Sequence, residues 1–541
     1  MLKLIFDGLN VVCIGTITYI FVTVTYNLYL HPLSKFPEPK LWAAFQFPYL
    51  QALLGGCVPF QIKRFHDLHG PIVRISPNEL SIIDPEAWKD IYANKEFIRP
   101  PQIRERPPGV EAHNLISAGV ADHARFRKAI GPSFSEKAVK SQEVIISHYI
   151  NLMITKLREK VEENKAESAV IDVVRWINFT TFIISDLGWG ESFHCLEKQN
   201  YHPWMTVILQ FQALLIGSSL NYYPVLKTFV SWITPKSALA GLKLVLDTSE
   251  QNVKARLARK SDRPDMMSYI LSHNESSPST RMTEDEMIAN SMAVIVGGSE
   301  TLTAALAGTI NALLTHINER ETLVKEIRSS FQTEEEISGQ STRSLPYLTA
   351  VLQEGLRLFP PIPDNMHRSV PKGGAVIAGH TLPEGVVVGI PCYSTFRSRT
   401  NFSRPDEFLP ERWLPEHQGE FRGDRKDAYN PFSLGVHGCI GQQLAWMELR
   451  VILARLVWNF DFEIPEGKKP LIWTSQKIFW AWEKEGVDVR LSLAARCARG
   501  EEPRDNILRS NPNLVDSVLA SSSSVFLTES TIDRVPADRH T

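Results

Sequence analysis

Apolar residues dominate the start of the chain and then settle into a repeating pattern. Residues 8–30 carry no charge and are led by Val11, Val12, Ile14, Ile17, Ile20, Phe21, Val22 and Val24. A run of about 20 such residues crosses a bilayer core as one helix. Further on, apolar spacings of three and four predict amphipathic helices over 143–161, 284–318, 345–358 and 441–459. Strand-like pieces are shorter and fewer, at 72–75, 80–83 and 386–390. Three prolines within His31-Pro32-Leu33-Ser34-Lys35-Phe36-Pro37-Glu38-Pro39 block helix and predict a stiff connector over 31–40. From 41 to 495 no long linker or repeat interrupts the pattern. The segment 496–541 has weak periodicity and a run of serines at 521–524, and it reads as a disordered tail. The predicted fold is a single large, mainly α domain with a smaller β-rich portion, preceded by one transmembrane helix.

Charge and composition narrow this picture. The 541 residues have a formal net charge of -2, so no basic excess points to nucleic acid. The apolar run is too long for a typical signal-peptide core, and no clear small-residue cleavage site follows it, which favours a retained anchor. Lys35 and Lys40 follow the span, whereas Lys3 before it is offset by Asp7. That asymmetry places the body on the cytoplasmic side. The six cysteines show no CxxC pair and no disulfide framework, in keeping with a reducing compartment.

One of those cysteines stands apart. Pro431-Phe432-Ser433-Leu434-Gly435-Val436-His437-Gly438-Cys439-Ile440-Gly441 is a glycine-rich loop that ends where a strongly periodic helix begins. Near a helix N-terminus, unpaired N–H groups and the positive dipole end favour thiolate over thiol. Glycines let backbone approach something flat and bulky. Taken alone, the loop is also compatible with an ordinary buried cysteine.

The pattern Phe432-x-x-Gly435-x-His437-x-Cys439-x-Gly441 resembles the haem-binding loop of the cytochrome P-450 monooxygenases, with His437 where the family most often has arginine. Other motifs follow in the family's order. Glu354-Gly355-Leu356-Arg357 and the later Phe408-Leu409-Pro410-Glu411-Arg412-Trp413 resemble the two halves of a buried network, implying a trio of Glu354, Arg357 and Arg412. Thr283-x-x-Glu286 is a capping box that starts a long helix. Inside that helix, Gly297-Gly298-Ser299-Glu300-Thr301 resembles the oxygen-binding stretch, where Glu300 and Thr301 are expected to relay protons. A close helix crossing at the two glycines explains the same residues without chemistry. His123-Ala124-Arg125-Phe126-Arg127 and Met366-His367-Arg368 resemble segments that supply haem-propionate partners, implying His123, Arg127 and Arg368, with His437 as a further hydrogen-bond donor.

The resemblance covers most of the chain, from 29 to 492, and looks like the microsomal enzymes of filamentous fungi. It implies heme b (iron protoporphyrin IX) held by Cys439, and insertion of one oxygen atom from dioxygen into a lipophilic small molecule. NADPH would supply electrons through a separate membrane-bound flavoprotein reductase, because the chain shows no flavin or nicotinamide fingerprint. It also implies a single-pass anchor in the endoplasmic reticulum membrane and a role in fungal secondary metabolism. Segments 104–120, 211–218, the helix just before Gly297, 361–365 and 472–479 are expected to line the pocket. Two other readings fit the cysteine loop: a haem-thiolate isomerase or dehydratase that uses no dioxygen, and a haem-binding sensor or carrier without catalysis.

Overall fold

The structure, a computed structural model, describes residues 2–101, 104, 106, 109–163, 167–181, 183–208, 236–259 and 263–495. The expected pocket segment 211–218 and the tail 496–541 lie outside the described residues. Most of the described chain is helical. The elements that position the site are, in chain order, α1 (Leu2–Thr25), β1 (Ile72–Ser76), β2 (Glu79–Ile82), α2 (Val120–Ile130), α3 (Glu136–Glu163), β3 (Ser168–Asp172), α4 (Val173–Thr181), α5 (Glu284–Thr315), α6 (Pro346–Leu358), β4 (Arg368–Ser369), β5 (Val387–Gly389), α7 (Gln442–Asn459), β6 (Phe460–Glu463), β7 (Ile478–Phe479), β8 (Ala481–Trp482) and β9 (Asp488–Leu493).

Strands β1, β2, β5 and β4 form one sheet in that order, antiparallel except for the parallel β2–β5 pair. A second sheet runs β3-β9-β6, and β7 pairs with β8 as a hairpin. The first sheet shares a core with Leu33, Phe36, Trp88, Tyr92 and Phe97.

Helix α5 is the central strut. Thr283 and Glu286 close its capping box, as the spacing predicts, and its 32 residues span about 48 Å at the usual rise. It is apolar enough to pass for a membrane span, but 67% of its most apolar stretch is buried inside the protein. It ends at Thr315 rather than 318, because His316 leaves helical geometry with φ -105° and ψ 81°.

Before the body, α1 continues through a π-helical turn, Tyr26–Leu30, and that turn is fastened to the fold. The Asn27 amide donates to Ala44 O at 2.9 Å, and Arg74 Nη1 donates to Asn27 O at 2.7 Å and to Glu38 Oε2 at 2.8 Å. In the connector, Leu33 and Phe36 are buried. The proline-rich segment is therefore packed against the domain along much of its length.

Helix α7 packs against α3 and α5 and carries Glu448 fully inside, where Oε1 has no hydrogen-bond partner among the described residues. Burial pushes the Glu448 carboxyl up to about 8. The folded chain thus keeps this proton across a pH range in which the unfolded chain, with its ordinary value of 4.5, has lost it. Stability must then fall as pH rises through that window. Glu448→Gln is expected to gain in urea midpoint over the parent as pH rises from about 5 to about 8; a gap that does not change with pH would show that Glu448 is solvated or paired.

Candidate active site

The cysteine loop is shaped by its own backbone. Cys439 N–H donates to Phe432 O at 2.8 Å, and Gly438 N–H to Gly435 O at 3.0 Å. Gly435 has φ +69°, and a Cβ there would collide with the Tyr92 carbonyl oxygen. Only glycine fits this position. Helix α7 begins at Gln442 with Gly441 as its N-cap, so Cys439 precedes the helix by a short turn.

Cys439 presents exposed surface, yet protein crowds around it. Burial pushes its thiol up, against the pull of the Gly441 N–H and of Arg127. Desolvation outweighs both pulls and the expected dipole stabilisation of thiolate, so the thiol is held above its ordinary value.

Around the loop gathers a dense group of bases. Arg127 Nη1 on α2 donates to Gly438 O at 2.7 Å. Arg368 Nη1 on β4 donates to His367 O at 2.8 Å, with its guanidinium over the Tyr92 ring at 5.1 Å. Arg99, which the sequence motifs do not reveal, joins them and donates to Leu115 O and Ile116 O at 2.9 and 2.6 Å. Burial, then Arg368 and Arg127, pull the Arg99 guanidinium down to about 9. Among the described residues no carboxylate forms an ion pair with any of these three arginines.

His437 meets a second imidazole. Its Nδ1 lies 3.0 Å from His123 Nε2, with ring centroids 4.1 Å apart. Burial and the surrounding arginines hold His123 down to about 4 and His437 to about 2. Both rings are therefore neutral at pH 7, one donating to the other, and the arginines carry the charge.

On α5 the two adjacent glycines have different causes. A Cβ at Gly298 would come within 2.8 Å of Ile184 Cγ1, so Gly298 permits a close helix crossing. At Gly297 a Cβ would meet nothing within 4 Å, so this position opens space. Thr301 is partly exposed, and its hydroxyl donates to Gly297 O at 2.6 Å. Glu300 turns elsewhere: it is buried and pairs with Lys484. No hydrogen bond joins the side chains of Glu300 and Thr301, which a one-residue step sets about 100° apart around the helix.

Glu354, Arg357 and Arg412 are brought together with no solvent exposure at any of their side chains. Arg357 grips Glu354 with two bonds of 2.8 and 2.7 Å, and Arg412 Nε donates to Glu354 Oε1 at 3.1 Å. Burial pushes the Glu354 carboxyl up, but the two guanidiniums outweigh it and hold it below its ordinary value. The trio alone would bury a net positive charge. Asp424, fully buried against Arg412, balances it, and no sequence motif pointed to that residue.

A glycine-rich cysteine loop beside three arginines that form no carboxylate ion pair among the described residues is compatible with a ligand that brings anionic groups of its own. Residues 37–486 match the model of the Cytochrome P450 family. The chain is 37% identical over 499 residues to cytochrome P450 monooxygenase atr2 of Stereocaulon alpinum, covering 91% of this chain and 97% of that one. It is 38% identical over 478 residues to cytochrome P450 monooxygenase astJ of Aspergillus oryzae (86% and 93%). It is 36% identical over 493 residues to averantin hydroxylase of Dothistroma septosporum (90% of each). The chain belongs to the cytochrome P450 family, and it is a monooxygenase whose cofactor is heme b, with electrons drawn from NADPH through a reductase as is general in this family.

Removing Asp424 leaves Arg412 as an uncompensated buried charge. Asp424→Ala is expected to cost about 3–5 kcal/mol in urea unfolding, whereas Glu407→Gln, on an exposed ion pair, should change stability by less than about 1 kcal/mol. Equal effects of the two changes would contradict the charge balance described here.

Proposed function

We propose that Cys439 would hold the haem iron through its thiolate, with the Gly297–Thr301 stretch of α5 and the cysteine loop supplying the two walls of the haem site. The observation that carries this reading is the nearness of the Cys439 thiol to an arginine cluster that forms no carboxylate ion pair among the described residues. When bound, the haem supplies dioxygen activation for inserting one oxygen atom into a C–H bond or double bond. Arg127, Arg368 and Arg99 hold the propionates as charge-assisted donors, while His123 and His437 offer neutral hydrogen bonds. Phe432, packed on Trp446 at 5.8 Å between centroids, walls the thiolate side, and Gly435 and Gly441 keep the loop close to the ring. Thr301 supplies a hydroxyl beside the space over Gly297, and Glu300 stores and passes protons behind it. The network of Glu354, Arg357 and Arg412 holds the loop in place.

The substrate is a lipophilic small molecule of fungal secondary metabolism, and the reaction is hydroxylation or epoxidation. Support comes from the relatives, whose names are those of oxidising enzymes, one of them a hydroxylase. An NADPH-dependent flavoprotein reductase in the same membrane supplies the electrons. Residues 1–30 form a single-pass anchor in the endoplasmic reticulum membrane, residues 31–40 the connector and 41–495 the catalytic domain on the cytoplasmic face. The apolar helix at Phe6–Leu30 supports this placement.

Reduced protein under carbon monoxide is expected to show a strongly red-shifted Soret band that disappears in Cys439→Ser. An unshifted band in the parent would sink the thiolate assignment. Thr301→Ala is expected to retain that band but to divert NADPH into hydrogen peroxide, raising peroxide formed per NADPH severalfold; an unchanged ratio would remove Thr301 from the relay.

A further inference from the structure

Glu300 stands in the stretch expected to relay protons, but its buried partner, Lys484, belongs to none of the motifs that point to haem. Lys484 lies on the turn between β8 and β9, and that turn is pinned on both sides. Glu483 N–H donates to Lys477 O at 2.9 Å, Glu485 N–H to Gln476 Oε1 at 2.6 Å and Val487 N–H to Asp172 Oδ1 at 3.1 Å. Just before it, the buried Trp482 indole donates to Pro360 O at 2.9 Å. From this fixed backbone the Lys484 side chain runs inward, 4% exposed, to a Glu300 side chain that is 5% exposed.

Burying an ammonium and a carboxylate costs several kcal/mol of hydration for each ion, and an apolar pair of similar size would fill the space without that cost. Stability is therefore a poor explanation for the pair. Its location gives a better one, because Glu300 is the only acid of α5 beyond the first turn and is next in sequence to Thr301. Lys484 holds one carboxylate oxygen, Oε2, while Oε1 is buried with no partner among the described residues. A carboxylate clamped through one oxygen has a set orientation and a single free acceptor.

We propose that Lys484 is a positioning residue for proton supply: it clamps Glu300 through Oε2 and leaves Oε1 as the atom through which protons enter and leave. Oε1 takes a proton from a hydronium ion and releases it to water beside the Thr301 hydroxyl, with which Glu300 makes no direct hydrogen bond, and Glu300 returns to carboxylate. This rests on the monooxygenase reading above, in which reducing dioxygen consumes protons. Without Lys484 the carboxylate loses its fixed orientation, and misplacing a proton-transfer group slows the step it serves.

The test uses the full-length holoenzyme, an NADPH-dependent flavoprotein reductase and no added substrate. Turnover then runs as NADPH + H+ + O2 to NADP+ + H2O2, read as NADPH oxidation in H2O and in D2O. Lys484→Met and Glu300→Gln are each expected to slow oxidation roughly tenfold or more and to enlarge the solvent isotope effect. Lys484→Arg, which keeps the charge, is expected to recover most of the rate. The double variant E300Q/K484M is expected to match E300Q alone, since Lys484 acts through Glu300. A K484M rate and isotope effect equal to the parent's overturn the proposal, as does a further change in the double variant. Should K484M misfold and lose the red-shifted carbon-monoxide band, the double variant decides, because it leaves no buried charge unpaired. Failure of the haem-thiolate reading is distinguishable, for then the parent itself lacks that band.

Discussion

A carboxylate sealed from water must find its solvation in the protein, and Glu354 finds it in two guanidiniums, the Leu409 N–H and the Trp413 indole. Much of the site depends on that arrangement. Arg357 also donates to the carbonyls of Phe396, Pro405 and Glu407, tying α6 to a long stretch of turns and short 3-10 helices. Trp413, fixed by Glu354, lies 4.6 Å between centroids from Tyr429, and Tyr429 leads directly into the cysteine loop. The loop thus inherits its position from a charge balance some distance away, in a medium where an error of one charge costs several kcal/mol.

The opposite electrostatic condition holds around Cys439. There Arg99, Arg127 and Arg368 repel one another, and the nearby imidazoles respond by staying neutral. Positive charge gathered without a partner stores unfavourable energy that a dianionic ligand releases. Placing histidine at position 437 lowers this stored repulsion relative to a further arginine, and the His123 hydrogen bond uses the ring that results.

Where structure depends on near neighbours, the sequence shows it. The capping box at Thr283 and the glycine loop before α7 each act within a few residues, and the helices begin within a residue or two of where those signals lie. Glu354 and Arg357 share a helix face and were legible for the same reason. Asp424, Arg99 and Lys484 were not. Each sits in irregular backbone and meets its partner only after the chain has folded back, Lys484 across 184 residues from Glu300. Helical spacing carries no information about such meetings. The same limit explains why Glu300 and Thr301, adjacent in sequence, look like partners but turn to different neighbours.

The fastening of Asn27 to Ala44 and Arg74 changes what an anchor at the N-terminus can do. A tether of loose chain would let the body tumble above a membrane and present any face to it. A helix whose last turn is bolted to the domain acts instead as a mast, with the tilt of the span setting the posture of the whole enzyme. In any lipid surface that the helix enters, the domain is then held at one height and bearing. A molecule dissolved in that lipid would meet the same face of the domain at every encounter, arriving by lateral diffusion in two dimensions.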